Sequence, residues 1–232
     1  MSGRLQRRHS AAVRVMHWIN VVAVVVLLMS GLQIFNAHPA LYWGKSSYQG
    51  TGPIFAPGSF PGWITLPGVQ WLAMGRRWHF FFAWVFVLNG FAYVAYSIAS
   101  RHLRRDLVPT RADLRSIGRS VADHLRLHHP SGDAAARYNV LQKIAYVGIM
   151  YVLLPAIVLL GLGLSPTMDS ILPGWVDLFG GRQSVRTLHF AAAALLVAFV
   201  AVHLFEVVVT GAWNNVRSMV TGRYRIPPEE AP

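Results

Sequence analysis

Four apolar stretches, each about as long as a bilayer is thick, limit what this chain can become. They are Met16–Phe35, Trp78–Ile98, Ile144–Leu164 and Leu188–Thr210. A spanning helix needs about 20 mainly apolar residues. None of the four holds a Lys, Arg or Asp, and the single acid among them is Glu206 in the last. Only 13% of the 232 residues are charged, against about 25% in a soluble domain. The composition therefore argues against a soluble globular enzyme. The expectation is an all-α membrane protein: one integral-membrane domain built as a four-transmembrane-helix bundle.

The formal net charge of +12 could suggest nucleic acid as a partner, but its distribution argues otherwise. Sixteen of the 21 Lys and Arg residues lie before the first span, between the second and third, or after the fourth. The other two connections hold only Lys45, Arg76, Arg77, Arg182 and Arg186. By the positive-inside rule this puts both termini in the cytoplasm of a bacterial inner membrane protein, and makes the charge an orientation signal. Arg4, Arg7 and Arg8 ahead of an apolar run also resemble a signal peptide. The run from Ile19 to Phe35 is longer than an h-region of about 7–15 residues, so a retained helix is expected.

The first outer connection, Asn36–Arg77, has no acid and carries Tyr42, Trp43, Tyr48, Phe55, Phe60, Trp63 and Trp71. A connection of that length is either functional or disordered. Together with Thr167–Thr187 it is expected to form the surface that receives a redox partner, although an interfacial aromatic belt explains the same residues. The inner connection, Ser100–Gln142, is amphipathic around Leu114–Leu127. His124 and His128 share a face there, and a solvated basic face near anionic lipid is the expectation.

There is no cysteine, which excludes thiolate metal sites, iron–sulfur clusters and covalent haem attachment. Ten histidines stand against nine acids. Four of the histidines touch the spans: His17, His79, His189 and His203. Ionisable groups at membrane depth are functional candidates by default. With the termini inside, His79 and His189 match at the outer depth, and His17 and His203 at the inner. His189 and His203 are 14 residues apart, about 21 Å along a helix and about 40° around it. Two facing imidazoles can hold one haem iron, so the pattern predicts two non-covalent, bis-His haem b groups suited to electron transfer. Arg14, Arg76, Arg77 and Arg186 lie within about a turn of these histidines and are candidates for haem propionates, with headgroup anchoring as the competing role.

Several motifs carry a family resemblance. They are R-V-M-H-W-I-N at Arg14–Asn20, H-P-A-L-Y-W-G at His38–Gly44 and R-R-W-H at Arg76–His79, then Y-N-V-L-Q-K at Tyr138–Lys143, R-x-x-H at Arg186–His189 and T-G-R-Y at Thr221–Tyr224. From Arg14 to Tyr224 the chain resembles the membrane cytochrome b family of Ni/Fe-hydrogenase b-type subunits and formate dehydrogenase gamma subunits. It looks most similar to the thiosulfate reductase cytochrome b branch. The resemblance implies the same four haem ligands. It also implies electron exchange between a quinone and a membrane-attached oxidoreductase, in this branch a periplasmic molybdopterin enzyme. A quinone, as donor or acceptor, would need polar groups in an apolar cleft near the inner haem. Tyr138, Asn139, Gln142, Lys143 and Glu206 are the candidates. Two other readings compete: a stand-alone cytochrome b561-type quinone oxidoreductase, and a haem-free proton-coupled transporter or anchor using Glu206 and His203.

Overall fold

The structure is a computed structural model, and it describes residues 5–47, 52–101, 108–125, 140–172 and 174–226. Four helices are long and apolar enough to cross a membrane: Ala11–Phe35 (α1), Leu72–Ala99 (α2), the rod Val140–Gly163, and Arg182–Val209 (α8). The chain is thus an all-α, multi-pass membrane protein. Each span starts four to six residues before its apolar stretch and ends within one residue of it. An apolar window detects only the hydrocarbon-embedded part. The backbone continues helical outside it because polar side chains there, such as Arg76, Arg77 and Arg182, are exposed and can be solvated.

The first helix starts where it does because Ser10 caps it. The Ser10 hydroxyl oxygen accepts from the Val13 N–H at 3.3 Å and from the Tyr96 hydroxyl at 2.8 Å. The third span is one 24-residue rod made of Val140–Gly148 (α5), a π-helical turn at Ile149–Leu153, and Leu154–Gly163 (α6). Pro155 lies just beyond that turn. It has no N–H to give the preceding turn and its ring crowds it, so the helix widens there.

Contacts group the chain into two compact units. One comprises Met1–Trp18, Phe91–Val152 and Ala198–Pro232 and holds both chain ends. The other comprises Ile19–Gly90 and Leu153–Val197 and holds the first and third connections between spans. In the first, strand Leu5–Arg7 (β1) pairs antiparallel with Arg223–Arg225 (β2), which the sequence reading did not anticipate. Strand β2 follows a short helix, Ala212–Thr221 (α9), that ends at Gly222 with φ +82°. A Cβ at Gly222 would lie 3.0 Å from the His9 carbonyl oxygen, so glycine is required by conformation and by space. The helices Arg111–Arg115 (α3) and Ile117–Leu125 (α4) fall in the segment expected to be amphipathic. His128 lies outside the described residues, as does the His124 side chain.

In the second unit, the connection after α1 is held by polar side chains. Asn36 Nδ2 donates to the Phe60 carbonyl at 2.9 Å, and the Phe60 N–H donates back to Asn36 Oδ1 at 2.7 Å. Gln33 donates to the Val69 carbonyl at 3.0 Å, and Thr187 to that of Tyr42 at 2.8 Å. Gly181, at φ +114°, meets the backbone of Gly44 and Lys45 so closely that a Cβ would stand 2.7 Å from the Lys45 Cα. The loop is therefore fastened at both ends. Tyr42 is buried beneath it, whereas Trp43, Trp63 and Trp71 are exposed. The spans bury small and polar residues (Ser30, Asn89, Ser97, Ala23) and expose large apolar ones (Phe81, Phe91, Leu195, Val202). This is the reverse of a soluble core and suits helices that pack in lipid.

Candidate functional site

In the second unit, that of the first and third connections, His79 on α2 faces His189 on α8, with ring centres 6.3 Å apart and planes at 74°. Hydrogen bonds fix which nitrogen of each ring carries its proton. The Ser30 hydroxyl donates to the Val26 carbonyl at 2.6 Å, leaving its oxygen to accept from His79 Nδ1 at 3.1 Å. His189 Nδ1 is 3.1 Å from the Ile157 carbonyl, which can only accept. Both rings therefore carry the proton on Nδ1 and keep the Nε2 lone pair for a metal. Each ring rests on a glycine of the neighbouring helix. A Cβ at Gly31 would lie 3.4 Å from His79 Cε1, and one at Gly161 would lie 3.2 Å from His189 Cε1.

In the unit of the chain ends, His17 on α1 faces His203 on α8 at 6.5 Å, with planes at 65°. Trp18 meets His17 edge-on at 5.5 Å, and Phe199 stacks on His203 at 6.0 Å. The Trp18 indole donates to the Met219 carbonyl at 3.1 Å, which ties this end of α1 to α9. Among the described residues, neither of these two imidazoles has a hydrogen-bond partner.

The ring separations can be checked against coordination chemistry. Two metal–imidazole bonds of about 2.0–2.1 Å, each extended by ~1.2 Å from nitrogen to ring centre, put the two centres about 6.4 Å apart. The observed 6.3 and 6.5 Å fit a single metal between the rings of each pair. Two imidazoles do not complete a bare metal's shell, and no three His, Asp or Glu side chains converge among the described residues. A porphyrin brings the four remaining nitrogens itself. The donor set and its spacing thus fit haem, which each pair of imidazoles would hold.

The other sequence candidates have definite places. Arg14 donates to the Val220 carbonyl, and Arg186 donates to those of His38 and Ala40 at 2.7 Å for the latter. Both guanidinium groups hold the chain's own backbone. Arg76 and Arg77 are exposed at the start of α2, and Arg76 lies 5.7 Å over the Phe80 ring. Lys143 Nζ is 2.8 Å from Asp113 Oδ2. Asp113 also forms the capping box of α3 with Thr110, and these contacts, the Lys143 hydrogen bond first, hold its carboxyl down at about 2. Glu206 is half-buried on α8, and Tyr146 on α5 lies within electrostatic reach of both Glu206 and Arg8. Tyr138 and Asn139 lie outside the described residues. The sequence reading missed Ser30, Gly31, Gly161, the Ile157 carbonyl and Tyr146. A serine and two glycines inside apolar runs were the available signal, but nothing there indicated which ring they would meet.

Four helices long and apolar enough to cross a membrane, carrying two facing histidine pairs, suit a membrane b-type cytochrome. The chain matches the prokaryotic cytochrome b561 family over residues 8–222, and it belongs to that family. It is 34% identical over 204 residues to a putative protein-methionine-sulfoxide reductase subunit, YedZ1, of Azospira oryzae. That match covers 88% of this chain and 91% of the relative. It is 26% identical over 227 residues to a probable Ni/Fe-hydrogenase B-type cytochrome subunit of Cupriavidus necator, covering 92% of this chain and 84% of the other. The protein is accordingly a haem-b, electron-transferring protein of the inner membrane, and the transporter reading falls away.

Proposed function

We propose that the chain is the two-haem membrane subunit of an oxidoreductase, carrying electrons between a quinone pool and a redox enzyme attached at the outer face. The observation that supports it most is the recurrence of one ring separation, 6.3 and 6.5 Å, in both histidine pairs. Bound haem b supplies a one-electron iron couple, and with both axial positions filled oxygen has no place to coordinate. His79 with His189 would hold one group through Nε2, and His17 with His203 would hold the other. Arg76 and Arg77 stand ready for propionates, while the spare N–H groups of Arg14 and Arg186 can join them.

Quinone chemistry also needs proton exchange. Glu206 and Tyr146 are the groups of the chain-end unit suited to hold or pass that proton beside His203. Lys143, restrained by Asp113, is a further candidate for that site. The names of the relatives, a reductase subunit and a hydrogenase subunit, support a partner enzyme over the stand-alone reading. The sequence resemblance to the thiosulfate reductase branch suggests a periplasmic molybdopterin enzyme.

The test is haem content and spectroscopy of the purified protein. Two haems per polypeptide are expected, with His79→Ala and His203→Ala each losing one. Steep angles of 74° and 65° between ring planes also predict strongly anisotropic low-spin electron paramagnetic resonance signals. Perpendicular ligands leave the two iron π-orbitals nearly equal in energy. One haem per chain, or a variant that keeps both, would overturn the assignment.

A further inference from the structure

The two histidine pairs are built alike at the rings and differently behind them. Behind the rings of His79 and His189 stand oxygen acceptors for both Nδ1 protons: the Ser30 hydroxyl at 3.1 Å and the Ile157 carbonyl at 3.1 Å. Behind His17 and His203 stand rings, those of Trp18 and Phe199, with no acceptor among the described residues. Ser30 is wholly buried. Its hydroxyl is oriented by the Val26 carbonyl, with the Leu27 carbonyl 3.2 Å away, so its lone pair stays turned to the imidazole. Gly31 and Gly161 give the rings room to approach.

An acceptor at Nδ1 draws the proton outward and leaves more electron density on Nε2. A more basic axial ligand favours ferric over ferrous iron and lowers the reduction potential, because outer hydrogen bonds to ligands are one of the levers that set it. We propose that Ser30 and the Ile157 carbonyl are potential-setting groups. They make the haem held by His79 and His189 the lower-potential one, so that electrons run downhill from it to the haem held by His17 and His203. Ser30 is a positioning residue here, acting only through His79. This inference rests on the two-haem reading above and adds to it a direction and a cause.

Spectropotentiometric titration of the purified holoprotein tests it. Two components are expected, of which His79→Ala removes the lower and His17→Ala the higher. Ser30→Ala should raise the lower component alone. Its reduced-to-oxidised ratio at a fixed potential should grow by about three- to tenfold, and tenfold is ~59 mV for one electron. In Ser30→Ala the Leu27 carbonyl, a second acceptor beside His79, would compensate in part and bring the shift toward the lower end of that range. Ser30→Thr keeps a hydroxyl and should keep the native potential. If Ser30→Ala loses the haem, Ser30→Thr decides: retention at the native potential supports the proposal, and loss there too overturns it. A shift under about twofold in a haem-replete Ser30→Ala, a shift in the other component, or reversed loss in the two histidine variants also overturns it. Wild-type protein without two haems would instead sink the functional reading itself.

Discussion

Replacing Gly161 by alanine should disturb one haem ligand while leaving the fold nearly as stable as before. The added Cβ would stand 3.2 Å from His189 Cε1 and 3.7 Å from its Nδ1. Carbon atoms pack best at about 3.5–4.0 Å, so the ring must retreat by roughly 0.3–0.5 Å. Gly161 and Ile157 are four residues apart and share one face of α6, so retreat from the one is retreat from the other's carbonyl. A hydrogen bond of 3.1 Å then lengthens to about 3.4–3.6 Å, at the edge of being one. The lost bond is worth about 0.5–1.5 kcal/mol, and alanine regains about 0.8–1.0 kcal/mol over glycine in a helix. Overall stability should thus stay within about 1 kcal/mol of wild type, by those same terms. The electronic effect has no such compensation, since helix propensity does nothing for Nε2 basicity. The assay pairs thermal unfolding in detergent with the potential of the haem lost in His79→Ala. That potential should rise in Gly161→Ala and stay near native in Gly31→Ala, where the corresponding gap is an ordinary 3.4 Å. Identical potentials in the two glycine variants, or a large stability loss in Gly161→Ala with its potential unmoved, would refute the reasoning.

Two further outcomes follow from contacts away from the rings. Asn89 Nδ2 donates to Asn20 Oδ1 at 2.7 Å between two spanning helices, so a double-mutant cycle of Asn20→Ala with Asn89→Ala should give a coupling near 0.6 kcal/mol and no more than about 1.7 kcal/mol. A coupling of zero would mean the pair is held by other contacts. The ion pair of Asp113 with Lys143 should resist acid: its carboxyl sits at about 2 against an ordinary 3.8, so its contribution is complete above about pH 4 and lost as pH falls through about 2. Amide exchange in α3 should accelerate over that window and lose the dependence in Asp113→Asn; acceleration already at pH 5 would contradict the assignment.

The sequence exposed the spans and the histidines because both are governed by one-dimensional rules. Twenty apolar residues in a row can be counted, and a helix of known pitch carries His189 and His203 round to the same stripe. The pairings His79–His189 and His17–His203 needed only the order of the crossings. What stayed hidden is set by contacts between helices. The Ser30 hydroxyl could have faced lipid, its own helix or a neighbour, and the Ile157 carbonyl has no sequence signature at all, since every residue has one. The fastening of residues 36–47 likewise depends on the Ser184 hydroxyl oxygen, which accepts from the Gly44 N–H, and on the donors of Arg186 and Thr187, some 140 residues downstream. The π-helical turn before Pro155 was half legible: proline announces a disturbed helix, but whether it kinks or widens is decided by packing.

The arginines show why counting charge and placing charge are separate problems. Arg14 contributes to the basic excess that orients the chain, and it stands three residues before His17, so the sequence offers it equally as a topology marker and as a propionate partner. In the folded chain its guanidinium reaches the Val220 carbonyl, while Trp18 takes that of Met219. These belong to the last turn of α9, where helix carbonyls lack partners of their own and a cation is welcome. Arg8 lies 4.6 Å over the ring of Tyr224, in the strand that follows. One stretch of basic residues therefore marks the cytoplasmic side and also clamps the chain's two ends around the helix that carries His17. A lipid headgroup could replace neither contact, because both are aimed at carbonyls and a ring of the chain itself. Arg186 repeats the pattern: three residues before His189, it binds the carbonyls of His38 and Ala40 and so fixes the long connection over α8. In both cases the arginine nearest a ligand in sequence is also a backbone clamp. Arg76 and Arg77, exposed at the start of α2, are left as the more accessible pair for an anionic group.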